Sequence, residues 1–269
     1  MVILVAILAK DKSRELPLFL ECLFNQTIDK KQLFLYIRTN DNNDNTIDVL
    51  KEWLDKNGEL YNGVYYDDSD VNSEVKKFDA HEWNDTRFKT LALIRQQSIQ
   101  YAIDNNMDYI VIDVDNYIKP NVIQNLYSVN LPVVGPLLKF HDKSKHFKRN
   151  EFPYKHDVSL DYYANYHSKA ELNGYFKNDK FYNDYFNTTI KGLIEVDVIH
   201  CAYLIRNEYL KYCNYIHKNK HIHEYVVFSN NLRRMGIKQY LDTREVGGFL
   251  NMLDPEEPEI LTFNDIILF

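Results

Sequence analysis

The sequence is poor in the residues that mark several special classes of protein. Its 269 residues include only three cysteines, Cys22, Cys201 and Cys213, whose pattern indicates neither a disulfide framework nor a zinc site. Burial as small apolar side chains is their expected role. Basic residues are outnumbered, because 32 Lys and Arg against 39 Asp and Glu give a formal net charge of −7. Nucleic-acid-binding surfaces are usually basic, so nucleic acid is not expected as the main partner.

The sequence also contains no apolar run that is long enough to cross a membrane. Its opening segment, residues 2–8, is apolar but short, and it has neither a basic leader nor a small-residue cleavage site. This segment predicts a first β-strand, and the missing leader favours a cytoplasmic location over the lumen of the endoplasmic reticulum. Only eight glycines accompany 21 tyrosines. Such a bias is typical of AT-rich coding, which suggests a large virus as the source.

Short apolar segments alternate with amphipathic ones through the first 140 residues. Strands are predicted at residues 2–8, 33–37, 64–66, 109–112 and 133–138, and helices at 13–23, 45–57, 86–105 and from Lys119 and Pro120 onward. Ser13 is the expected cap of the first helix. This alternation predicts an α/β fold with a mostly parallel sheet and helices on both of its faces.

The strand at residues 109–112 ends in two carboxylates one residue apart, Asp113 and Asp115. Residues i and i+2 of a strand point to the same face, so the two side chains can converge on one hard cation. In an open α/β sheet, ligands bind outside the carboxyl ends of the strands. Nucleotide-sugar glycosyltransferases use such a D-x-D pattern to neutralise a phosphate-bearing donor through a metal ion. The alternative is a polar cap at the strand end.

Two polar stretches have alternative interpretations. Residues 67–85 predict a long loop, which is either a functional lid or disordered. The basic run at residues 143–149 is either a solvated loop or a contact for an acceptor or a diphosphate. Aromatic residues crowd the segment 162–186, where they either stack on sugar rings or pack in an irregular core.

Regular structure is predicted again in the last third of the chain. Strands are expected at residues 193–200, 202–205 and 237–241, and helices at 207–212 and 221–234. The apolar end, residues 266–269, is expected to dock on this chain or on a partner subunit, because apolar termini are seldom left in water. This end favours a homodimer.

Nine segments in a fixed order characterise the chain: residues 7–10, 16–20, 39–46, 53–54, 95–96, 113–116, 133–138, 198–205 and 223–228. In these segments, and from Ile3 to about Leu250, the chain resembles the collagen hydroxylysine galactosyltransferase family and the related glycosyltransferase-like accessory domain of animal lysyl hydroxylases. The family carries two acids in a row where this chain has His223 and Glu224, so only Glu224 keeps the carboxylate.

The resemblance implies one GT-A type, Rossmann-like glycosyltransferase domain over residues 1–250. Residues 1–140 would form its nucleotide-binding half and 141–250 its acceptor half, with 251–269 as a tail. The implied enzyme is metal-dependent. It moves galactose or glucose from a UDP-sugar to hydroxylysine, or to galactosyl-hydroxylysine, of a collagen-like protein.

The resemblance also implies the metal site. Asp113 and Asp115 would hold Mn²⁺ or Mg²⁺ against the diphosphate of the UDP-sugar, with Val114 between them at the donor. His200 would supply a further ligand, which favours Mn²⁺ because imidazole suits that ion better than Mg²⁺. The alternative role of His200 is that of a buried core histidine.

Further donor contacts are expected from loops at the same edge. Arg95 either pairs with phosphate oxygens or lies solvated along its helix. Lys218 and Lys220 either close over the diphosphate or belong to an ordinary charged loop. Four residues at the ends of the first two strands either meet the uridine or form a polar turn: Ala9, Lys10, Asn40 and Asp41.

Glu224 is the candidate general base, and Asp115 shares the catalytic assignment through the metal. An acceptor hydroxyl must lose its proton as it attacks the anomeric carbon, and a carboxylate suits that task. This role holds for an inverting enzyme, whereas in a retaining one Glu224 would bind the acceptor. Two alternatives stay open, a UDP-sugar transferase acting on a glycan or lipid and a non-catalytic GT-A-like binding module. The retained Asp113 and Asp115 favour an enzyme.

Overall fold

The computed structural model describes residues 2–78, 82, 84–140, 164–175, 177, 181, 184–185, 187–217, 222–251 and 261–268. The strands are β1 (Ile3–Ala9), β2 (Leu33–Thr39), β3 (Gly63–Asp67), β4 (Asp108–Ile112), β5 (Asn116–Ile118), β6 (Val133–Phe140), β7 (Tyr166–His167), β8 (Leu193–Val196), β9 (Val198–Ile199), β10 (Ala202–Ile205) and β11 (Gln239–Leu250). The helices are α1 (Leu16–Phe24), α2 (Thr46–Asn57), α3 (Asp85–Asp104), α4 (Val122–Ser128), α5 (Asn207–Leu210), α6 (Glu224–Arg234) and α7 (Phe263–Leu268).

A nine-stranded sheet organises these elements in the order β3-β2-β1-β4-β10-β6-β11-β5, with β8 paired to β11. β1 is parallel to β2 and β4, and β3 is parallel to β2, whereas β10 runs antiparallel between β4 and β6. Among the described strands of this sheet, β1, β2, β3, β4, β6 and β11 share one direction. The predicted α/β fold with a mostly parallel sheet is confirmed.

The first strand shows why the sheet is covered on both faces. Ile3, Val5 and Ile7 of β1 pack in one core with α1, α2 and α7, whereas Leu4 and Ala6 pack in the other core with α3, α5 and α6. Successive side chains of a strand point to opposite faces, so a strand that is buried on both sides needs an uninterrupted apolar sequence. The opening segment has that sequence, and the predicted first strand is confirmed.

Some predicted boundaries differ from the structure. Helix α1 begins at Leu16 rather than at residue 13, and its N-cap residue is Glu15. Ser13 does not cap it: the Ser13 backbone N–H donates to Asp44 Oδ2 in the neighbouring loop, 2.9 Å away. Pro17 lies in the first turn of α1, where its missing N–H and fixed φ are tolerated. Proline, rather than serine, marks the start of this helix.

The strand predicted at residues 237–241 is shorter than the strand in the structure. β11 continues to Leu250 and pairs with β5, β6 and β8, with register irregularities between Asp242 and Gly248. Two adjacent glycines, Gly247 and Gly248, weaken the strand signal of this segment. The tertiary pairing with three strands outweighs that local signal.

The loop after β3 is partly ordered, so the expectation of disorder is wrong for its described residues, and its role as a functional lid stays a prediction. The Asp41 carboxylate accepts hydrogen bonds from the backbone N–H groups of Val71 and Asn72, at 3.1 and 3.0 Å. The Asp41 N–H in turn donates to Asp70 Oδ1 at 2.9 Å. A short 3-10 helix over Ser73–Lys77 follows and buries Val75. Residues 79–81 and 83 of the predicted loop lie outside the described residues.

One residue of the apolar C-terminal end docks on this chain, whereas Ile267 and Leu268 are exposed. Ile266 of α7 is completely buried in the same core as α1. The basic run 143–149 lies outside the described residues, and so do five aromatic residues of the segment 162–186: Tyr162, Tyr163, Phe176, Tyr182 and Phe186. Tyr166 of the same segment is buried in the core that contains α3. No helix in the described ranges has the length and apolarity that a membrane span needs.

Gly248→Ala is expected to destabilise the fold. A Cβ at this position would overlap the backbone oxygen of Tyr117 and lie 2.9 Å from Ile118 Cα. Because backbone of a paired strand cannot move aside easily, we expect a loss of about 1–3 kcal/mol in the free energy of unfolding, measured by chemical denaturation. Gly58→Ala is the matched control, because a Cβ there meets side chains at an ordinary 3.6 Å. An equal loss in both variants would contradict the prediction.

Candidate active site

Hydrogen bonds join the loop after β1 to the loop after β2 at the carboxyl edge of the sheet. The Asp11 N–H donates to Asn42 Oδ1 at 2.9 Å, and the Asn43 N–H donates to Asp11 Oδ1 at 2.5 Å. The Lys12 N–H donates to Thr46 Oγ1 at 2.7 Å. The polar stretch after β2 therefore serves first to position the loop after β1.

Asp113 and Asp115 lie in the turn between β4 and β5. The Asp113 N–H donates to the Cys201 carbonyl at 2.8 Å, and the Asn251 N–H donates to the Asp115 carbonyl at 2.8 Å. The expectation that strand alternation would align the two carboxylates is wrong, because β4 ends at Ile112 and turn geometry orients both side chains. Val114 between them is buried in the core, so only its backbone can face a donor.

Each aspartate of this turn is paired with a cation of the same chain. Arg95 Nη2 donates to Asp113 Oδ1 at 2.6 Å, and Lys12 Nζ donates to Asp115 Oδ2 at 3.0 Å. Arg95 Nε also lies 3.2 Å from Glu224 Oε1, at the start of α6. We call Asp113, Asp115 and Glu224 the carboxylate cluster. Arg95 joins Asp113 to Glu224, and Asp115 lies close enough for its carboxylate to act on Asp113 electrostatically.

The surroundings of Arg95 and Lys12 differ from what the sequence predicts. The Arg95 side chain is only 7% exposed, so it does not lie solvated along α3, and protein carboxylates engage it. Its pairing with donor phosphates stays a prediction. Lys12 is a contact of Asp115 that the sequence does not predict. Three basic residues crowd the loop after β1, and only the folded position of the Asp115 turn distinguishes Lys12 from its neighbours Lys10 and Arg14.

Burial dominates the electrostatics of this cluster. Burial, together with the Asp115 and Glu224 carboxylates, raises the pKa of Asp113 to about 6, although Arg95 opposes this rise. Burial alone would lower the pKa of Lys12, but the Asp115 and Glu15 carboxylates outweigh it and raise that pKa. The pKa of Arg95 is raised in the same way, chiefly by Asp113. Both cations are therefore charged at neutral pH.

The donor set fits a divalent cation. Carboxylate oxygens are the ligands that Mg²⁺ and Mn²⁺ prefer, and crowded carboxylates gain most from a positive charge. Among the residues that the structure describes, no three His, Cys, Asp or Glu side chains form a ready-made metal site. Mg²⁺ is commonly held by one or two carboxylates, with substrate phosphates and water completing the coordination. Asp113 and Asp115 could hold a cation of that kind.

His200 lies beside the cluster, directly before Cys201. Its Nδ1 is 2.9 Å from Cys201 Sγ, and its ring stacks on Tyr225 with a centroid separation of 4.5 Å. Burial lowers the pKa of His200 well below its usual range, and His167 and His223 add to this effect. The imidazole is therefore neutral, which is the form that binds metals. Its role as a metal ligand stays a prediction.

The four residues expected at the uridine lie at the ends of β1 and β2. Ala9 is buried, and the Lys10 ammonium pairs with the carboxylate of Asp11. Asn40 Nδ2 donates to Asp41 Oδ2 at 2.8 Å. Burial would raise the pKa of Asp41, but this bond and the N–H groups of the loop after β3 lower it. Asp41 thus fixes that loop in this structure, and the uridine contacts of all four residues stay predictions.

Lys218 and Lys220 lie outside the described residues, so their predicted contacts with the diphosphate are not tested.

Solved glycosyltransferase structures share this fold. TarS of S. aureus in complex with UDP-GlcNAc matches with a TM-score of 0.56 and 11% identity, covering 94% of this chain and 59% of that one. The mannosyltransferase PcManGT of Pyrobaculum calidifontis, in complex with GDP-Man and Mn²⁺, matches with a TM-score of 0.50 and 10% identity, covering 92% and 56%. These likenesses show the fold alone, which is the predicted GT-A type.

Sequence comparison shows the family. Human procollagen galactosyltransferase 2 is 27% identical over 92% of this chain and 38% of its own length. A mouse protein named inactive glycosyltransferase 25 family member 3 is 27% identical over 76% of this chain and 32% of its own length, so the chain spans less than two fifths of either relative. Residues 1–149 match the N-terminal domain of glycosyltransferase family 25. The predicted resemblance is confirmed, and the chain belongs to glycosyltransferase family 25.

Proposed function

We propose that this chain is a metal-dependent glycosyltransferase that moves galactose or glucose from a UDP-sugar to hydroxylysine, or to galactosyl-hydroxylysine, of a collagen-like protein. The carboxylate cluster at the carboxyl edge of the sheet is the observation that carries the proposal. Family membership supports a glycosyltransferase, and the name of the human relative supports the collagen-like acceptor. The UDP-GlcNAc bound by TarS supports a UDP-sugar as donor.

Asp113 and Asp115 would hold Mn²⁺ or Mg²⁺ in this function. The bound cation neutralises the donor diphosphate and stabilises the negative charge that builds on the leaving UDP. The protein's own contribution is to fix both aspartates before the donor arrives. Backbone hydrogen bonds to Cys201 and Asn251 set the turn, and Arg95 holds the Asp113 side chain. Little rearrangement is then needed when the donor binds.

Glu224 is the proposed general base. Its side chain is 5% exposed, Arg95 lies 3.2 Å from Oε1, and Oε2 has no hydrogen-bond partner among the described residues. Oε2 is therefore the oxygen that would accept the proton of an acceptor hydroxyl during inverting transfer. In a retaining enzyme the same oxygen would orient the acceptor.

The residue before Glu224 departs from the paired acids of the family. The His223 ring packs edge-on against Phe88, with a centroid separation of 4.5 Å, and lies 5.3 Å from Tyr225. This chain therefore places aromatic surface where a second carboxylate is expected. Aromatic faces suit the apolar faces of sugar rings, so we propose that this side chain contacts the acceptor sugar rather than a cation.

Two other functions are kept as alternatives. The mouse relative that is named inactive supports a binding module that has lost catalysis. A glycan or lipid acceptor with the same UDP-sugar donor is the second alternative. The cytoplasmic location and the homodimer that the sequence favours stay predictions.

The double variant Asp113→Asn, Asp115→Asn separates an enzyme from a binding module. We expect UDP-hexose turnover in Mn²⁺ to fall at least about 100-fold, because both proposed cation ligands lose their charge. Release of UDP measures the turnover. Glu52→Gln, on the exposed face of α2, is the control and should keep the full rate. Turnover at the same background rate in the double variant and the unchanged protein would exclude both transferase hypotheses.

The acceptor is tested by pairing each donor with each acceptor class. UDP-galactose and UDP-glucose are assayed with free hydroxylysine, galactosyl-hydroxylysine and simple glycans, and the products are identified by mass spectrometry. We expect transfer to one of the two hydroxylysine acceptors. Transfer to a glycan with no transfer to either hydroxylysine acceptor would favour the alternative acceptor instead.

Glu224→Gln tests the general base. We expect kcat to fall by about 10²–10⁴ while the KM for the UDP-sugar changes little, because the amide keeps the shape and loses the proton acceptor. Initial rates against donor concentration measure both constants. A raised acceptor KM with an unchanged kcat would instead assign Glu224 to acceptor binding.

A further inference from the structure

Lys12 places a positive charge directly on one of the proposed metal ligands. Its Nζ lies 3.0 Å from Asp115 Oδ2 and 3.7 Å from Glu15 Oε1. The Lys12 backbone is fixed, because its N–H donates to Thr46 Oγ1 at 2.7 Å. The side chain is 29% exposed, so the ammonium group has solvent on one side. The Lys12 backbone is therefore held in place, whereas its ammonium group can change position.

Arg95 pairs with Asp113 in a different way. Its side chain is buried and it bridges two carboxylates, Asp113 and Glu224. Moving Arg95 would leave buried carboxylates without a counter-charge, which is strongly unfavourable. Moving Lys12 uncovers Asp115, which is 38% exposed already, and Glu15 keeps its ion pair with Arg14. Of these two cations, Lys12 is the one that can leave its carboxylate at little cost.

We propose that Lys12 is an internal competitor of the divalent cation. In the metal-free protein its ammonium group neutralises Asp115. When the cation binds, the ammonium group leaves Asp115 and pairs with the phosphate oxygens of the donor. The inference rests on the proposed function, because it takes Asp115 as a cation ligand and a nucleoside diphosphate as the donor.

Charge repulsion and the chemistry of lysine support this exchange. A divalent cation on Asp115 repels an ammonium group that shares the same carboxylate. Lysine carries a compact charge on a flexible stem, and it binds phosphate as a point charge. The donor diphosphate is expected at the same carboxylates. The displaced ammonium group can therefore pair with the phosphate oxygens of the donor.

The exchange predicts effects of opposite sign when the lysine charge is removed. The cation alone should bind more tightly to Lys12→Met, because nothing competes for Asp115. UDP in the presence of saturating cation should bind more weakly, because one phosphate partner is lost. A purely structural role of Lys12 would weaken both, so the pair of measurements separates the two roles.

The test measures Mn²⁺ binding directly, from the electron paramagnetic resonance signal of free Mn²⁺, with the full chain and no nucleotide. We expect Lys12→Met to bind Mn²⁺ about fivefold more tightly, the scale of a partly exposed ion pair. UDP binding at saturating Mn²⁺, measured by calorimetry, should weaken about tenfold. Lys12→Arg keeps the charge, so its affinities for Mn²⁺ and for UDP should be close to those of the unchanged protein. Asp115→Asn should lose Mn²⁺ binding, which identifies the site.

Lys56→Met is the matched control. Lys56 also pairs with a carboxylate, Glu52, at 2.7 Å, but on the exposed surface of α2. Its removal should change neither affinity. Thermal unfolding of each variant verifies that it is folded.

Unchanged or weaker Mn²⁺ binding by Lys12→Met overturns the inference, and so does unchanged UDP binding. Turnover of UDP-hexose by the unchanged protein is measured in parallel. If that protein is active and Lys12→Met gains no Mn²⁺ affinity, the inference fails alone. If the unchanged protein is inactive, the proposed function fails, and the Mn²⁺ measurement still decides the role of Lys12.

Discussion

The buried guanidinium of Arg95 connects the two sides of the site. It donates to Asp113 in the turn after β4 and pairs with Glu224 at the start of α6, so one side chain holds a carboxylate from each half of the chain. A buried charge is tolerated only when partners compensate it, and removing any of the three would leave another uncompensated. The relative position of the turn and the helix therefore depends on this ion-pair network.

The sheet supplies the frame on which this network is built. β1 is buried on both faces, and β10 enters from the second half of the chain to pair antiparallel with β4. Just before β10, Cys201 adopts a φ of +66°, and its carbonyl accepts the N–H of Asp113. A left-handed backbone at a residue other than glycine is unfavourable, and such strain persists where the surrounding structure enforces it. The second half of the chain thus fixes the turn that carries the aspartates.

The site concentrates unfavourable electrostatics at one edge of the sheet. Burial and neighbouring carboxylates raise the pKa of Asp113 to about 6, although Arg95 lies at hydrogen-bonding distance. Proteins commonly accept lower stability at positions where function requires charge. Lys12 and Arg95 offset part of the repulsion in two ways, since one is partly exposed and the other is buried between two partners. Arg95 is therefore the fixed counter-charge of the site, and Lys12 is the movable one.

The sequence alone determined the strands around β1 and the carboxylate pair after β4, because apolar runs and their ends depend on local pattern. It singled out Glu224 only through the family resemblance, and it placed the start of that helix at residue 221 instead of Glu224. It did not reveal that Arg95 and Lys12 pair with Asp113 and Asp115. These partners lie 18 and 103 positions apart in the chain, and no local period relates them. Tertiary structure alone decided these pairings, because charges far apart in sequence become neighbours only when the sheet brings its loops to one edge.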